Sequence, residues 1–475
     1  MFRRSFTCFL FLLSIFTAFP HSDGVWNVRE YGAKGDGEIL DTQAIQTAID
    51  KCHEAGGGKV YLSGGTFLSG TLYLKNYVTL HVENGAVLLG SRYQKDYSVT
   101  SSRYPSYHGE YLSNRMLIYA EGAIHISLEG LGTIDGNGEN FVGINELEAL
   151  KERPHIIHFR ACRNVKVKDI TLRNSASWVQ NYMMCENLLI DGITVDSREN
   201  MDIGKPRFAD APGRNTDGLD IVDCRNVRIA NCFINSGDDG ICLKSISRKE
   251  YCQNITITNC VITTNASGIK IGTESVGGFQ DILVTNCSIY DCRLGGVDVM
   301  CVDGAQVERV TLSDITLRNI KGTAIFVRLG NRGRMHRKDE IPGQSSVKNI
   351  LFQNIYGTGI SCYGCSITGI PGMCVENVVL DNINLAFEGG SHPLLYQGEV
   401  NNPVKELTKD DVPEVTNKHP RGDMFGKLPA YAFYVRHVDN IEFRNVKVAT
   451  EKEENRPALI TDDVRGLVLI NSFTN

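Results

Sequence analysis

Short runs of alternating apolar and polar residues recur along most of the chain. NVKVKDITLRNS at 164, NVRIANCFINS at 226 and NITITNCVITT at 254 are examples, and each run is interrupted by an Asn or Asp before the alternation resumes. Alternation with a period of two is typical of β-strands that bury one face. Each run therefore predicts two short strands with a bend between them, repeated at intervals of 22 to 28 residues in the central part of the chain.

One such repeat cannot bury its apolar face alone, whereas stacked repeats form a continuous core. We therefore predict an all-β fold, a single-stranded right-handed parallel β-helix that occupies residues 24–475 as one domain. Leucine-rich repeats are disfavoured because their leucine spacing is absent and because Val and Ile favour strands. A β-sandwich would need hairpin turns roughly every 8 to 12 residues, with antiparallel pairing.

Two segments interrupt the repeat. TQAIQTAIDKCHEA, which follows Asp41 as a candidate N-cap, has helical periodicity with Ile45, Ile49 and Cys52 on one side. We expect this capping helix to cover the N-terminal end of the stack, where a strand edge needs protection. Residues 388–427 are polar and rich in Asn, Pro and Lys, and we interpret them as a long loop insertion over the cleft.

The N-terminus has the pattern of an export signal. Arg3 and Arg4 precede an apolar run from Phe6 to Phe19, which is too short for a comfortable membrane span. Residues 1–23 are therefore predicted to be a secretory signal peptide. We expect a secreted or periplasmic monomer without a membrane span. The net charge of −6 argues against a nucleic-acid or anionic-membrane partner.

Fourteen of the 15 cysteines follow the predicted signal peptide. An exported protein permits disulfides. However, Cys232, Cys260 and Cys287 each follow an Asn of the repeat, which indicates a stack of small buried side chains. In SCYGCSITGIPGMC, residues 361–374, a disulfide is favoured over zinc because no His or second Cys pair occurs at ligand spacing.

The repeats can be aligned on Gly218, Gly240, Gly268, Gly296 and then Ala324. Residues one and three positions after these glycines are apolar in nearly every coil and point into the core, so the residues two and four positions after them face outward. The outward residues two positions after the aligned point are Asp220, Cys242, Lys270, Asp298 and Phe326, and those four positions after it are Val222, Lys244, Gly272, Met300 and Arg328.

Three acids share one patch in this register. Asp217 and Asp239 directly precede the glycines of successive coils, which stack ~4.8 Å apart, and Asp238 lies beside Asp239. Lys244 and Lys270 flank the patch. Crowded carboxylates raise one another's pKa, so one of them can hold a proton near neutral pH, as glycosidic bond cleavage requires. The three acids are also compatible with calcium binding.

Four motifs give the chain a resemblance to the polygalacturonase-type glycoside hydrolases, family 28, over nearly its whole mature length. The motifs are VREYGAKGDGEILDTQAIQTAIDKC, GLGTIDGNGENF, NTDG at 215–218 and GDD at 237–239. The resemblance implies an inverting hydrolase in which Asp238 is the general acid, and Asp217 and Asp239 position and deprotonate the water. Asn215 would orient the site. Inversion requires roughly 6.5–9.5 Å between the acid and base carboxyls.

Two motifs depart from the family pattern. Where the family carries Gly-His-Gly, this chain has Ala266-Ser267-Gly268, with Ser267 in place of the histidine. Where the family carries Arg-Ile-Lys, the cations that bind the substrate carboxylate, this chain has Asp298-Val299-Met300. Ser267 and Asp298 are kept as candidate substrate contacts at these positions.

The departures change the expected substrate. Lys244, Lys270 and Arg328 are the remaining candidate cations, and GIKIGTES, which contains Glu274, resembles an exo-acting branch of the family. We predict an exo-acting hydrolase of pectic polysaccharide or oligosaccharide, of the polygalacturonan or rhamnogalacturonan type. A neutral sugar or a branched uronide would occupy the cleavage site. No metal or other cofactor is expected.

Two other functions stay open. A calcium-dependent pectate lyase on the same fold would use Lys270 as base near clustered acids, would release an unsaturated product and would lose activity with a chelator. A non-catalytic carbohydrate-binding β-helix would bind sugar without turnover, and binding would survive Asp238→Asn.

Overall fold

The computed structural model describes residues 24–102, 114–141, 153–198, 215–390 and 407–473. The predicted signal peptide and residues 391–406 of the predicted loop insertion lie outside these ranges. Within the described ranges the chain forms 33 strands joined in one continuous ladder, one α-helix and four short 3₁₀ helices.

The strands of the N-terminal half are two to six residues long. They are β1 Val25–Asn27, β2 Asp36–Leu40, β3 Gly58–Leu62, β4 Gly65–Ser69, β5 Leu72–Tyr73, β6 Val78–Val82, β7 Ala86–Gly90, β8 Met116–Glu121, β9 Ile124–Glu129, β10 Thr133–Asp135, β11 His155–Arg160, β12 Arg163–Lys168, β13 Thr171–Arg173, β14 Gln180–Met183, β15 Glu186–Asp191, β16 Thr194–Ser197 and β17 Leu219–Val222.

Several strands of the C-terminal half run unbroken through a bend and reach 12 to 15 residues. The strands are β18 Arg225–Ala230, β19 Phe233–Ser236, β20 Ile241–Ser245, β21 Cys252–Thr258, β22 Val261–Thr264, β23 Ser267–Ser275, β24 Gly278–Cys292, β25 Gly295–Cys301, β26 Gln306–Ile320, β27 Thr323–Leu329, β28 Ser346–Ile360, β29 Cys365–Thr368, β30 Val375–Phe387, β31 Phe433–Arg444, β32 Lys447–Thr450 and β33 Leu459–Ile470.

The strands stack in parallel as a β-helix, which confirms the predicted fold. One face, the site sheet, consists of β5, β8, β11, β14, β17, β20, β23, β25, β27, β29 and the start of β31. Its register agrees with the alignment on glycines: Asp220 pairs with Cys242, Cys242 with Lys270, and Lys270 with Asp298.

A single apolar core fills the stack. Ile221, Leu243, Ile271, Val299 and Val327, each three positions after the aligned point, are fully buried in it. Each such side chain contributes about 1.5–3 kcal/mol when it leaves water. Because the row repeats in every coil, a shift of one residue would place the apolar row outside and the polar row inside, so the pattern fixes the register.

Asparagine side chains form a ladder at one bend. Asn164, Asn187, Asn226 and Asn254 have positive φ of 56°, 57°, 56° and 55°. Asn tolerates this left-handed conformation better than most residues. The side-chain Nδ2 of Asn187, Asn226 and Asn254 each donates to the Oδ1 of the preceding coil, at 3.1, 3.2 and 3.0 Å. The repeated Asn thus turns the chain and ties adjacent coils together.

The predicted capping helix is α1, Thr42–Glu54, at the N-terminal end of the stack. Its buried residues are Ile45, Ala48, Ile49 and Cys52. Asp41 precedes the helix, but its side chain does not cap it, in contrast to the prediction. The carboxylate accepts the backbone N–H groups of Lys34 and Gly35 instead, at 2.6 and 2.9 Å, and so holds the preceding turn.

None of the 14 cysteines of the described residues forms a disulfide, so the predicted disulfide within residues 361–374 is wrong. Cys365 faces the apolar core, whereas Cys374 lies outside, with its sulfur 4.0 Å from Arg465. Cys365 belongs to β29, whereas Cys374 lies just before β30. The cysteines after repeat asparagines are buried, as predicted, and bond to carbonyl oxygens two residues earlier: Cys232, Cys260 and Cys287.

Residues 407–432 contain no strand and pack on the C-terminal part of the site sheet. Val412, Phe425 and Leu428 of this segment contact the outward side chains Met300 and Phe326 in a second apolar cluster. The segment includes the short 3₁₀ helix Lys409–Asp411. Among the described residues, none of the helices has the length and apolar character needed to cross a membrane.

Candidate active site

Asp217, Asp238 and Asp239 meet where two neighbouring strands of the site sheet begin. Asp217 lies two residues before β17, and Asp239 two residues before β20. One oxygen from each of the three carboxylates lies within 4.8 Å of the other two. Asp217 and Asp239 are each 4% exposed, whereas Asp238 is half-buried. The structure therefore brings the three predicted catalytic acids into one group.

The glycines that follow these acids set how closely the coils approach. A Cβ atom on Gly218 would lie 2.6 Å from the carbonyl oxygen of Gly240, and one on Gly240 would lie 2.5 Å from that of Gly268. Any side chain at these positions would force the coils apart. The aligned glycines are thus needed for the short separation of the carboxylates.

Two backbone N–H groups orient the carboxylate of Asp238. The N–H of Asn215 donates to Oδ2 at 3.2 Å, and the N–H of Asp239 donates to Oδ1 at 3.1 Å. Asn215 itself has a positive φ of 59°, and its side-chain Oδ1 accepts a bond from Arg153 at 3.3 Å. Asn215 therefore acts through its backbone on Asp238, and its side chain is tied to Arg153.

Lys244 binds two carboxylates of the coil before its own. Its Nζ lies 2.5 Å from Asp220 Oδ1 and 3.4 Å from Asp217 Oδ2. The ammonium also lies 3.5 Å from the centre of the Trp178 ring, a cation–π contact in a buried setting. Asp220 is fully buried and belongs to the site, although the sequence analysis placed it only in the outward row.

Lys270 lies one coil later, in register with Cys242. Its Nζ lies 2.8 Å from Asp239 Oδ2, and the N–H of Ser267 donates to Asp239 Oδ1 at 3.2 Å. Asp298 follows Lys270 in register on the next strand. Ser267 thus helps to hold Asp239, and Lys270 lies between two acids.

Burial makes several of these carboxyls hard to ionise. Burial and the charge of Asp220 raise the pKa of Asp217 well above its ordinary value, against the opposing effect of Lys244. Burial also raises the pKa of Asp220 to about 7, although Lys244 lowers it. For Asp298, burial outweighs Ser267 and Lys270, and its pKa is about 7. Asp217, Asp220 and Asp298 therefore hold a proton more readily than free carboxyls do, chiefly because they are buried.

Glu274 lies near the end of β23 among cations. Burial alone would raise its pKa, but Lys244, His336 and other nearby cations lower it to about 2. One of these cations is Arg334, whose Nη1 lies 3.4 Å from Glu274 Oε1. Glu274 is therefore ionised near the edge of the site.

Arg328, a predicted substrate contact, is bonded to other groups of the protein in this structure. The residue is fully buried beneath residues 407–432. Its Nη1 donates to Thr368 Oγ1 at 3.2 Å and to the carbonyl oxygen of Gly369 at 2.9 Å. Its Nη2 donates to the carbonyl oxygens of Glu414 and Val415 at 2.6 and 3.2 Å. The outward register was right, but the loop segment covers this position and the guanidinium anchors it.

The site sheet continues on the N-terminal side with side chains that the sequence analysis missed. Asn181 pairs with Asp220, and His158 pairs with Asn181, so both extend the outward row. The alignment on glycines did not reach these coils, because Val179 occupies the position that corresponds to Gly218. The alternation of apolar residues in HIIHFR, residues 155–160, is the signal that could have found them.

A comparison with known families decides the class of protein. The model of the family described as "Glycosyl hydrolases family 28" matches residues 89–402, which is more than half of the chain. The chain belongs to this family. It is a glycoside hydrolase, and the resemblance on which the sequence analysis relied is confirmed.

Relatives of this family 28 protein include plant and bacterial enzymes. A "Probable polygalacturonase" from Vitis vinifera is 28% identical over 74% of this chain and 73% of its own length. An "Exopolygalacturonase" from Platanus acerifolia is 27% identical over 78% of this chain and 93% of its own. A solved "Family 28 Exopolygalacturonase" from Yersinia enterocolitica superposes with a TM-score of 0.69, at 20% identity, over 94% of this chain and 78% of that one. The superposition with the Yersinia enterocolitica structure supports the assignment of the fold.

Proposed function

We propose that this family 28 hydrolase is exo-acting and inverting, and that it cleaves α-linked galacturonate oligomers. The observation that carries the proposal is the group formed by Asp217, Asp238 and Asp239, in which the carboxylate of Asp238 is held by two backbone N–H groups. The exopolygalacturonase relative from Platanus acerifolia supports the substrate class and the exo action. Glu274 in GIKIGTES, which resembles the exo-acting branch, supports the same action.

In the proposed mechanism, Asp238 gives its proton to the glycosidic oxygen as the bond to the anomeric carbon breaks. Asp217 and Asp239 hold a water molecule on the other side of the sugar, and one of them takes its proton as the oxygen attacks. The Oδ1 of Asp217 is buried and has no hydrogen-bond partner within the described residues, so it can accept a bond from this water. Its raised pKa means that activity rises with pH as Asp217 becomes ionised.

The inverting outcome rests on the family resemblance and not on the carboxylate separation. One oxygen from each of the three acids lies within 4.8 Å of the other two, which is shorter than the roughly 6.5–9.5 Å between carboxyls typical of inverting enzymes and close to the roughly 5–5.5 Å of retaining ones. Proton NMR of the first product decides this part. Inversion releases the β-anomer from an α-linked substrate, and an initial α-anomer would refute it.

We further propose that the mature protein is exported as a monomer. The Arg3 and Arg4 pair before a short apolar run supports cleavage of residues 1–23. The N-terminal sequence of the secreted protein and its mass in solution test both parts.

The activity test is a product screen with purified protein on polygalacturonate, rhamnogalacturonan oligosaccharides and neutral pectic side chains. Wild type is expected to release saturated galacturonate. Asp238→Asn is expected to lower kcat by ~10²–10⁴-fold, the usual contribution of a general acid. Asp339→Asn, an exposed acid of a loop, is the matched control and should retain full activity.

Two results would support the alternatives instead. An unsaturated product whose formation stops with EDTA would indicate a calcium-dependent lyase. Sugar binding without turnover, equal in wild type and Asp238→Asn, would indicate a binding module.

A further inference from the structure

Three polar side chains lie on the site sheet on the N-terminal side of the acids. His158 and Arg160 belong to β11 and Asn181 to β14, and they are 2%, 4% and 0% exposed. Asn181 lies one coil from Asp220 and His158 lies two coils from it, ~5 and ~10 Å along the axis. Their sequence neighbours Ile157, Phe159 and Tyr182 belong to the core, so the three polar side chains point outward toward the cleft.

All three side chains are buried with polar atoms that have no partner. Both amide atoms of Asn181, both ring nitrogens of His158 and the Nε of Arg160 form no hydrogen bond within the described part of the chain. Burial of an unpaired polar group costs stability, and burial of an unpaired cation costs more. Since folding gains nothing from this arrangement, the groups point to a partner that arrives with a ligand.

The charge at this position comes from Arg160. Burial and the charges of Arg160 and His155 lower the pKa of His158 well below its ordinary value, so the imidazole is neutral. Glu121 pairs with Arg160 in the strand register, but it accepts the hydroxyl of Tyr119 and forms no ion pair with Arg160 within the described residues. One cation and two neutral groups that can donate or accept thus line this surface.

The cations on the other side of the acids are engaged. Lys244 and Lys270 lie on the acids of the site itself. Arg328 holds the loop segment, and Arg332 forms two bonds to Asp303, at 2.9 and 2.6 Å. A substrate carboxylate on that side would have to compete with carboxylates that already bind the cations. Arg160 is influenced by the charge of Glu121 but forms no ion pair with it within the described residues.

We propose that Arg160 binds the carboxylate of the uronic acid unit held on the N-terminal side of the acids, and that His158 and Asn181 bind hydroxyl groups of the same unit. The inference rests on the proposed galacturonan hydrolase activity and names the residues that recognise the charge of its substrate. A guanidinium can form two parallel bonds to a carboxylate, which are the strong, charge-assisted kind. Carboxylate recognition then lies on the opposite side of the acids from Asp298-Val299-Met300, where the cations of the family pattern are replaced.

Calorimetric titration in an Asp238→Asn background tests the proposal without turnover. The two probes are α-1,4-digalacturonate and the neutral α-1,4-digalactose. Arg160→Met is expected to weaken binding of digalacturonate by ~10²-fold or more, because one partner of a buried charge pair is removed. Binding of digalactose should change little. Arg163→Met, on the same coil but exposed, is the matched control and should bind both sugars like its parent.

The stability of the free protein separates recognition from a structural role. Removal of an unpaired buried cation should leave Tm unchanged or raise it. The proposal is overturned if Arg160→Met binds digalacturonate like its parent, or if it loses both disaccharides equally and has a lower Tm. Should Arg160→Met not fold, Arg160→Lys decides: it retains the charge, loses the two parallel bonds, and should weaken digalacturonate binding alone, whereas unchanged binding would refute the role.

Failure of the proposed function would look different. In that case wild type would hydrolyse no galacturonan in the product screen, whatever the result of the titrations. If galacturonan is hydrolysed but Arg160→Met shows no loss of digalacturonate affinity, only the assignment of Arg160 is wrong.

Discussion

The two sides of the acid group differ in whether their buried charged and polar groups have partners within the protein. On the C-terminal side, Lys270 binds Asp239 and lies in register with Asp298, so charged groups of the protein neutralise one another. On the N-terminal side, Arg160 and Asn181 are just as buried and have unpaired polar atoms. Charge is paired where it fixes the positions of the acids, and it is left unpaired where a substrate has to supply the partner.

The largest effect expected from this difference is on stability. Lys270→Met removes the cation from Asp239 and leaves a buried carboxylate without its partner. The free energy of unfolding should fall by about 3–5 kcal/mol, the usual result of breaking one side of a buried pair. Arg160→Met, which removes an equally buried cation, should cause no such loss. Urea unfolding followed by fluorescence of the two tryptophans measures both.

A double variant checks the cause. In Lys270→Met combined with Asp239→Asn, no charge is left unpaired, so more than half of the lost stability should return. If Lys270→Met is as stable as wild type, or if Arg160→Met loses as much as Lys270→Met, the two sides do not differ in the way described.

The next effect is a pH dependence of stability. Burial raises the pKa of Asp298 from 3.8 to about 7, with Asp220 and Asp223 raised similarly. Between pH 4 and pH 7 each of these carboxyls therefore holds a proton in the folded protein that it releases in the unfolded chain, and its contribution to stability falls as pH rises through this window. The buried His158 and His336, whose pKa values are lowered, act in the opposite direction. The slope is at most ~1.4 kcal/mol per pH unit for each such proton. Asp298→Asn should remove the contribution of one proton to the slope of the unfolding free energy against pH.

Unfolding free energies at several pH values test this expectation. Asp410→Asn, an exposed acid, should retain the wild-type slope. Glu274, whose pKa is lowered from 4.5 to about 2, acts in the opposite direction, and its contribution to stability rises with pH between these two values. An Asp298→Asn variant with the same slope as wild type would contradict the raised pKa of Asp298.

The smallest effect concerns an ion pair on the outer wall. Arg309 binds Asp281 through two bonds of 2.6 and 3.2 Å, but the side chains are 47% and 36% exposed. Arg309→Met should lower the free energy of unfolding by only ~0.2–1 kcal/mol, since water screens such pairs. A loss as large as that of Lys270→Met would show that burial does not set the difference between the sites.

The sequence predicts the fold because its signal is repeated. In every central coil the same register follows from the alternation of apolar residues, the bends at Asn and the aligned glycines. This register alone places Asp220, Lys270 and Asp298 in one row. The convergence of Asp217, Asp238 and Asp239 follows from the same register. Local pattern and global fold carry the same information here.

Features that depend on contacts distant in sequence were not predictable in this way. The covering of Arg328 depends on carbonyl oxygens of residues 414–415, more than 80 positions away. Arg160, His158 and Asn181 lie in coils without the aligned glycine, so the register did not reach them. The disulfide was wrong because Cys365 lies in β29 and faces the core, whereas Cys374 lies before β30 on the outside, although the two are close in sequence.

The two ends of the stack are protected to different extents, so we expect local unfolding to have a preferred direction along the β-helix. At the N-terminal end α1 covers the first coils, whereas in β33 the side chains of Leu467, Val468, Leu469 and Ile470 are exposed. In a solenoid each coil is held by its immediate neighbours, so loosening should start at the less protected end and advance coil by coil. The three acids lie in central coils, so the protein should retain activity while only the terminal coils unfold.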